Sequence, residues 1–265
     1  MTAKPPRLLI IAGSDSSGGA GLQADIKTAC AFGVYAMTAV TAVTAQDTER
    51  VRAVELVSPK IVAAQITACL NDIGADAIKI GMLGSAAIVR AVAAALKKHA
   101  RDIPVVLDPV MISTSGRRLL APNAVETLKA KLLPQAAVVT PNLPEARVLT
   151  GLRSTDRKSV EAAGRKLMSA GASAVLIKGG HATTETVDDL LVWKGGVEIY
   201  AFPRIHTKHT HGTGCTLSTA IACGLAQGLS LPLAVGRARE FVQHAIETAP
   251  GLGHGHSPLN LLMRP

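Results

Sequence analysis

RLLIIAGSDSSGGAGLQADIKTACAFG, residues 7–33, reads as a buried strand, a glycine-rich turn and a helix in immediate succession. Arg7–Ala12 is apolar enough to be covered on both faces and breaks at Gly13. Gly18-Gly19-Ala20-Gly21 leads into a helical pattern that runs to about Phe32, where Gly33 is placed to end it. This is the first half of a β-α-β unit, and the rest of the chain repeats it. Strands are predicted over Tyr35–Ala45, Ala77–Ile80, Pro104–Leu107, Ala137–Thr140 and Ala174–Ile177. Helices are predicted from Pro59 to about Ile73, from the cap Ser85 to His99, and over Pro122–Leu132, Leu143–Leu149, Thr155–Ala170, Gly214–Gln227 and Leu231–Thr248. Val187–Trp193 and Gly196–Phe202 read as a hairpin around Lys194-Gly195. Short connections between such units predict an α/β fold of three layers, α/β/α, with a mostly parallel central sheet. No linker or repeat divides the chain, so one domain spans residues 1–265.

The composition agrees. Of 265 residues, 48% are hydrophobic and only 2% aromatic, so the core must be Ala, Val, Leu and Ile, as parallel strands under Ala-rich helices require. The net charge of +9 raises nucleic acid as a partner. The positive residues are scattered, however, and the aromatics are too few to stack bases. A basic surface that assists a small polyanion is the reading kept. Cys30, Cys69 and Cys223 fall in apolar helical patterns and read as small core residues, without metal-ligand or disulfide spacing. Leu8–Ala12 is too short for a secretory leader and no apolar run reaches membrane-spanning length, so a cytoplasmic protein is expected.

In parallel sheets, ligands sit at the carboxyl ends of the strands. Polar or glycine-rich segments follow the strands at Gly13-Ser14-Asp15, Thr44-Ala45-Gln46, Gly81-Met82-Leu83, Asp108–Met111, Thr140-Pro141-Asn142 and Lys178-Gly179-Gly180, so one rim should collect them. The turn His211-Gly212-Thr213-Gly214-Cys215 opens a helix. Its N–H groups and the helix dipole suit a phosphate, and a thiol at Cys215 should have its pKa lowered by that dipole. Read alone, the turn is equally a simple joint between elements. Asp108 at a strand end and Glu145 after Asn142-Leu143-Pro144 suit Mg²⁺ through waters; Asp108 is also a plausible cap before Pro109, and Glu145 a plausible helix-start carboxylate favoured by the dipole. Lys178 can reach a phosphate as a point charge. Lys79 interrupts a buried strand and receives no role. Asp25, four residues after Gly21, can accept hydrogen bonds from a ligand, though an ordinary solvated helix aspartate is the plainer reading. His206, His209 and His211 read as a polar strand edge, and His254 and His256 as a flexible tail. The glycines at 18–21 do not form a dinucleotide fingerprint, which disfavours an oxidoreductase.

Seven segments then fit one family in order: IAGSDSSGGAGLQADIKT (11–28), TAVTAQ (41–46), KIGMLGS (79–85), VLDPVM (106–111), TPNLPEA (140–146), IKGGH (177–181) and HTHGTGCTLS (209–218). The chain resembles the bacterial hydroxymethylpyrimidine/phosphomethylpyrimidine kinases of thiamine biosynthesis, within the ribokinase-like superfamily. The resemblance implies a ribokinase-like fold without a separate lid domain. It implies phosphorylation of 4-amino-5-hydroxymethyl-2-methylpyrimidine and then of its monophosphate, with ATP and Mg²⁺, by a homodimer. It puts Gly13, Asp25, Gln46, Met82 and Val110 around the pyrimidine. Asp108, Asn142 and Glu145 would organise Mg²⁺ and the phosphates, and Lys178 would contact the phosphate chain. Gly212, Thr213 and Gly214 would form an anion hole, with Cys215 the candidate base. Covers for the site are expected in mobile loops at 113–118 and 181–187. The rival readings are a pyridoxal or pyridoxine kinase and a non-catalytic pyrimidine-binding protein.

Overall fold

The first strand runs further than its apolar stretch suggests. In the computed structural model, which describes residues 4–113, 115–153, 156–180 and 184–263, strand β1 spans Arg7–Asp15 and does not stop at Gly13. Its ladder with β2 (Tyr35–Gln46) slips by one residue between Ala12 and Gly13. A Cβ at Gly13 would stand 3.0 Å from Met82 Sδ, so the bare backbone lets the bulge pass. The ladder then resumes and carries Ser14 and Asp15 to the rim.

The remaining elements are α1 (Gly21–Ala31), β3 (Val51–Leu56), α2 (Pro59–Asp72), β4 (Ala77–Ile80), α3 (Ala86–His99), β5 (Val105–Leu107), α4 (Ala124–Lys131), β6 (Val138–Val139), α5 (Leu143–Thr150), α6 (Arg157–Ser169), β7 (Ala174–Ile177), β8 (Thr186–Trp193), β9 (Gly196–Pro203), α7 (Thr213–Ala226) and α8 (Leu231–Glu247). Thr155, expected to begin α6, lies outside the described residues. The strands form one nine-stranded sheet in the order β3-β2-β1-β4-β5-β6-β7-β8-β9 among the described residues. From β2 through β7 every pairing is parallel; β3 and β8 run antiparallel to their inner neighbours.

Side chains alternate across the sheet as strand geometry requires. Leu9 and Ile11 of β1 join the core under α2 to α6, while Leu8, Ile10 and Ala12 join the core under α1, α7 and α8. Each fully buried Leu or Ile stabilises the fold by about 1.5–3 kcal/mol. The strand order reverses between β1 and β4, which opens a crevice at the carboxyl ends.

Two expectations need correction. The connector between Ala45 and Pro59 contains β3, whose sequence VRAVEL is mostly exposed because it forms the sheet edge, so its apolar pattern is weak. Cys30 is exposed on α1 and is no core residue, although Cys223 is buried. Within the expected 113–118 cover, Ser113 N–H donates to Arg117 O at 2.8 Å, and Arg117 Nη1 reaches Val51 O at 2.8 Å, a contact with β3. Thr114 within that loop, and residues 181–183 of the second expected cover, lie outside the described residues. Among the described residues no helix is long and apolar enough to cross a membrane.

Candidate active site

The carboxyl ends of the parallel strands and the start of α7 surround one cavity of about 550 Å³. Gly13, Gln46, Met82, Asp108, Val110, Asn142, Glu145, Lys178 and the Gly212–Cys215 turn all line it. Asp25 does not.

The turn is built on glycine for two reasons. Gly212 caps α7 with φ +86°, and a Cβ there would run into Gly19 O at 2.0 Å. Gly214 faces the charged wall, where a Cβ would stand 3.2 Å from Lys178 Nζ. Thr213 N–H is taken by Thr210 O at 3.3 Å, whereas the N–H groups of Gly214 and Cys215 lie in the first helical turn and have no intrahelical acceptor. They and the helix dipole make the floor an anion site. Cys215 behaves differently from its sequence reading. Burial pushes its thiol up to about 11, helped by the Asp25 and Asp108 carboxylates and opposed by the Lys79 ammonium. The dipole does not win, so the resting thiol is protonated at neutral pH.

Across from the turn, Lys178 Nζ donates to Asp108 Oδ1 at 2.9 Å. The remaining bonds to Asp108 are long: Thr140 Oγ1 and Ser218 Oγ each lie at 3.4 Å. Glu145 and Asn142 form a capping box on α5, with Glu145 Oε2 accepting the Asn142 N–H at 2.9 Å and Asn142 Oδ1 accepting the Glu145 N–H at 2.8 Å. The two sequence readings of Glu145, helix-start carboxylate and rim carboxylate, thus coexist. Burial pushes its carboxyl up to about 7, with Asp108 adding to the rise and Lys178 opposing it. Among the described residues no group of three or more His, Cys, Asp or Glu could hold a metal ion.

A second lysine, Lys79, lines the cavity at its base although its side chain is fully buried. Lys79 Nζ donates to Asp25 Oδ2 at 2.7 Å, and Thr219 Oγ1 donates to Asp25 Oδ1 at 2.7 Å. Asp25, expected beside a ligand or in solvent, is fully buried. The helical face that carries it turns inward because Lys79, on the α7 side of β4, needs a counter-charge there. Burial alone would lower the Lys79 pKa, yet Asp25 raises it above its ordinary value. The pair ties α1, β4 and α7 together beneath Cys215.

Sequence reasoning passed over two further groups. His211 is buried, not on a strand edge, and its Nε2 lies 2.8 Å from Asp15 Oδ2 and 3.3 Å from the Gln46 amide. Burial pushes Asp15 up, but hydrogen bonds from His211 and Ser17 outweigh it and hold the carboxyl below its ordinary value. At the opposite end of the cavity, Arg239 stacks over Phe202 at 4.8 Å and lies 3.1 Å from Asp189, whose Oδ1 accepts the Gly179 N–H at 2.7 Å. Asp15 stands in a strand-end segment and was findable; Arg239 sits 50 residues beyond Asp189 on a helix with no local signal.

The cavity therefore has a polar ring-sized end at Gly13, Gln46, Met82 and His211, an anion floor, and a far end lined by Val187, Ile205 and Gln243. The comparisons with known proteins point to one family. The sequence profile described as phosphomethylpyrimidine kinase matches residues 15–260. A hydroxymethylpyrimidine/phosphomethylpyrimidine kinase of Streptomyces coelicolor is 45% identical over 257 residues, 97% of this chain and 94% of that one. The thiamine biosynthesis bifunctional protein of Geobacter sulfurreducens is also 45% identical over 97% of this chain, which spans 52% of its length. Among solved structures, the phosphomethylpyrimidine kinase of Clostridium difficile superposes with TM-score 0.81 at 42% identity, covering 92% of this chain and all (100%) of that one. An ADP complex of Bacillus subtilis pyridoxal kinase superposes with TM-score 0.89 at 35% identity, covering 97% of each.

Proposed function

Because this chain belongs to the phosphomethylpyrimidine kinase family, we propose that it phosphorylates 4-amino-5-hydroxymethyl-2-methylpyrimidine with ATP, and then the monophosphate to the diphosphate, in thiamine biosynthesis. The observation that carries the reading is the meeting of an anion floor, a cavity-facing Lys178–Asp108 pair and a ring-sized polar end within one cavity. Phosphoryl transfer is mainly positioning and charge neutralisation, and these groups supply both.

In this reading Gly13, Met82 and Val110 wall the ring and Gln46 hydrogen-bonds its edge. Asp25 acts from behind, through Lys79. Lys178 and the N–H groups of Gly214 and Cys215 take the charge on the transferred phosphoryl oxygens. The far end, near Arg239, takes the nucleoside. The residues fit a hard divalent cation: Glu145, pushed up by burial and by Asp108, is a carboxylate whose ionisation a nearby cation would favour. Mg²⁺ held by Asp108, Glu145 and Asn142 through waters would neutralise phosphate charge. A protonated Cys215 thiol argues for a part in placing the acceptor oxygen; as a base it would have to ionise against its surroundings. We place the enzyme in the cytoplasm as a homodimer.

A second reading has support of its own. Solved pyridoxal kinases share this fold at 33–35% identity, so phosphorylation of pyridoxal is proposed as a side activity. Parallel assays of ADP formation with the aminopyrimidine and with pyridoxal, each with and without EDTA, separate the readings. Faster turnover of the pyrimidine, abolished by EDTA, is expected. Far faster turnover of pyridoxal would overturn the assignment, and failure to consume ATP with either would leave a binding protein.

A further inference from the structure

Hydrogen-bond accounting around Gln46 gives more than its presence in the cavity. Asp15 Oδ1 accepts the Ser17 N–H at 2.9 Å and the Ser17 hydroxyl at 2.8 Å, and Oδ2 accepts the Ala20 N–H at 2.8 Å. The same Oδ2 lies 2.8 Å from His211 Nε2. A carboxylate has no hydrogen to give, so Nε2 carries the proton. Nε2 also lies 3.3 Å from the Gln46 amide nitrogen, which would set two donors against each other. The two ends of an amide have the same shape, and exchanging them turns that conflict into a shared hydrogen bond.

The other neighbour asks for the same exchange. Thr44 Oγ1 donates to Ser14 O at 2.9 Å and lies 3.3 Å from Gln46 Oε1. With its proton committed, this hydroxyl can only accept, and an amide NH₂ is the group it needs. We infer that Asp15 and His211 fix the polarity of the Gln46 amide, oxygen toward His211 and nitrogen toward Thr44, and thereby set which way round the pyrimidine binds.

The consequence reaches the chemistry. Each end of the amide commits one position to its neighbour, which leaves the cavity edge with one acceptor and one donor. A 4-aminopyrimidine offers the complement, an amino hydrogen beside a ring nitrogen. The amino group then sits on the side of His211 and the ring nitrogen on the side of Thr44. The carbon that bears the hydroxymethyl group adjoins the amino-bearing carbon, so the hydroxymethyl points to where His211 runs into Gly212–Cys215. Reversed polarity would turn it away from the anion floor. Asp15 and His211 are thus positioning residues, and the two glycine segments are close enough to be set by them: a Cβ at Gly19 would meet His211 Cδ2 at 2.4 Å.

This inference rests on the proposed pyrimidine substrate, and the test keeps the two apart. The probes are the 4-amino substrate and its 4-oxo analogue, whose edge presents an acceptor beside a ring N–H and so inverts the pattern. The wild-type enzyme should prefer the amino compound by ~100-fold or more in kcat/KM, because the mismatched edge leaves buried polar groups unpaired. In His211→Leu and Asp15→Asn the preference should shrink to under ~10-fold, with kcat for the amino compound falling more than KM rises. Equal use of both compounds by the wild type, or an unchanged preference in a folded His211→Leu protein, overturns the inference while leaving the kinase reading standing. No phosphorylation of either compound by the wild type sinks the substrate reading and the inference with it. Should the variants fail to fold, long-range ¹H–¹⁵N spectra of the wild type still decide. An Nε2–H tautomer at His211 is expected, and an Nδ1–H tautomer contradicts the polarity.

Discussion

Among the described residues two lysine–aspartate pairs differ in what surrounds the carboxylate. Lys79–Asp25 is closed: both side chains are fully buried at 2.7 Å, and Thr219 satisfies the second oxygen at 2.7 Å. Lys178–Asp108 is open: the lysine side chain keeps 13% of its surface and faces a carboxylate whose other donors stand at 3.4 Å. A saturated pair has nothing to offer a ligand and holds elements together. An under-satisfied pair is a place where a phosphate can enter, because its groups gain bonds when one arrives.

The largest expected effect breaks that contrast in stability. Lys79→Met strands Asp25 in the interior and should cost about 3–5 kcal/mol by urea unfolding. Lys178→Met should cost less than half of that, since water in the cavity can reach Asp108, yet lower kcat/KM by about 10²–10³. Equal unfolding losses in the two variants would erase the distinction.

A smaller effect sharpens the part that Cys215 plays between the pairs. In the first phosphorylation the acceptor is the hydroxymethyl oxygen that the thiol would place, whereas in the second it is an oxygen of a monophosphate, already anionic and further from the ring. Cys215→Ala should therefore slow the first phosphorylation more than the second, by several-fold in single-turnover assays. The same loss in both steps would reduce the thiol to a packing group. The smallest effect is on the thiol's titration. In a protein with Cys30 and Cys69 replaced by serine, alkylation of Cys215 should keep rising through pH 9 and reach half its maximum only near pH 11, as a thiol raised to about 11 requires. A plateau near neutral pH would restore the dipole-activated thiolate that the sequence pattern suggests.

What could be read from sequence follows the range of the forces involved. The parallel strands, the hairpin and the rim segments were legible because apolar periodicity and glycine breaks are local. Capping was legible at Ser85, which acts within three residues. The edge strand β3 was hidden because one side faces water and the pattern thins. Asp25, Lys79 and His211 were misread or left without a role for another reason. Their partners lie 54, 194, 165 and 196 residues away, and no spacing rule reaches that far. The pKa of Cys215 failed similarly: the helix start is local, but the carboxylates and the burial that oppose it come from other strands and helices.

The most direct test of the account is a crystal structure of the protein with the aminopyrimidine and a non-hydrolysable ATP analogue. The account predicts the hydroxymethyl oxygen facing the Gly214–Cys215 turn, the terminal phosphate within reach of Lys178, and Lys79 still paired with Asp25. A pyrimidine bound with its hydroxymethyl group turned away from that turn, or a nucleotide whose phosphates contact Lys79 in place of Lys178, would contradict it.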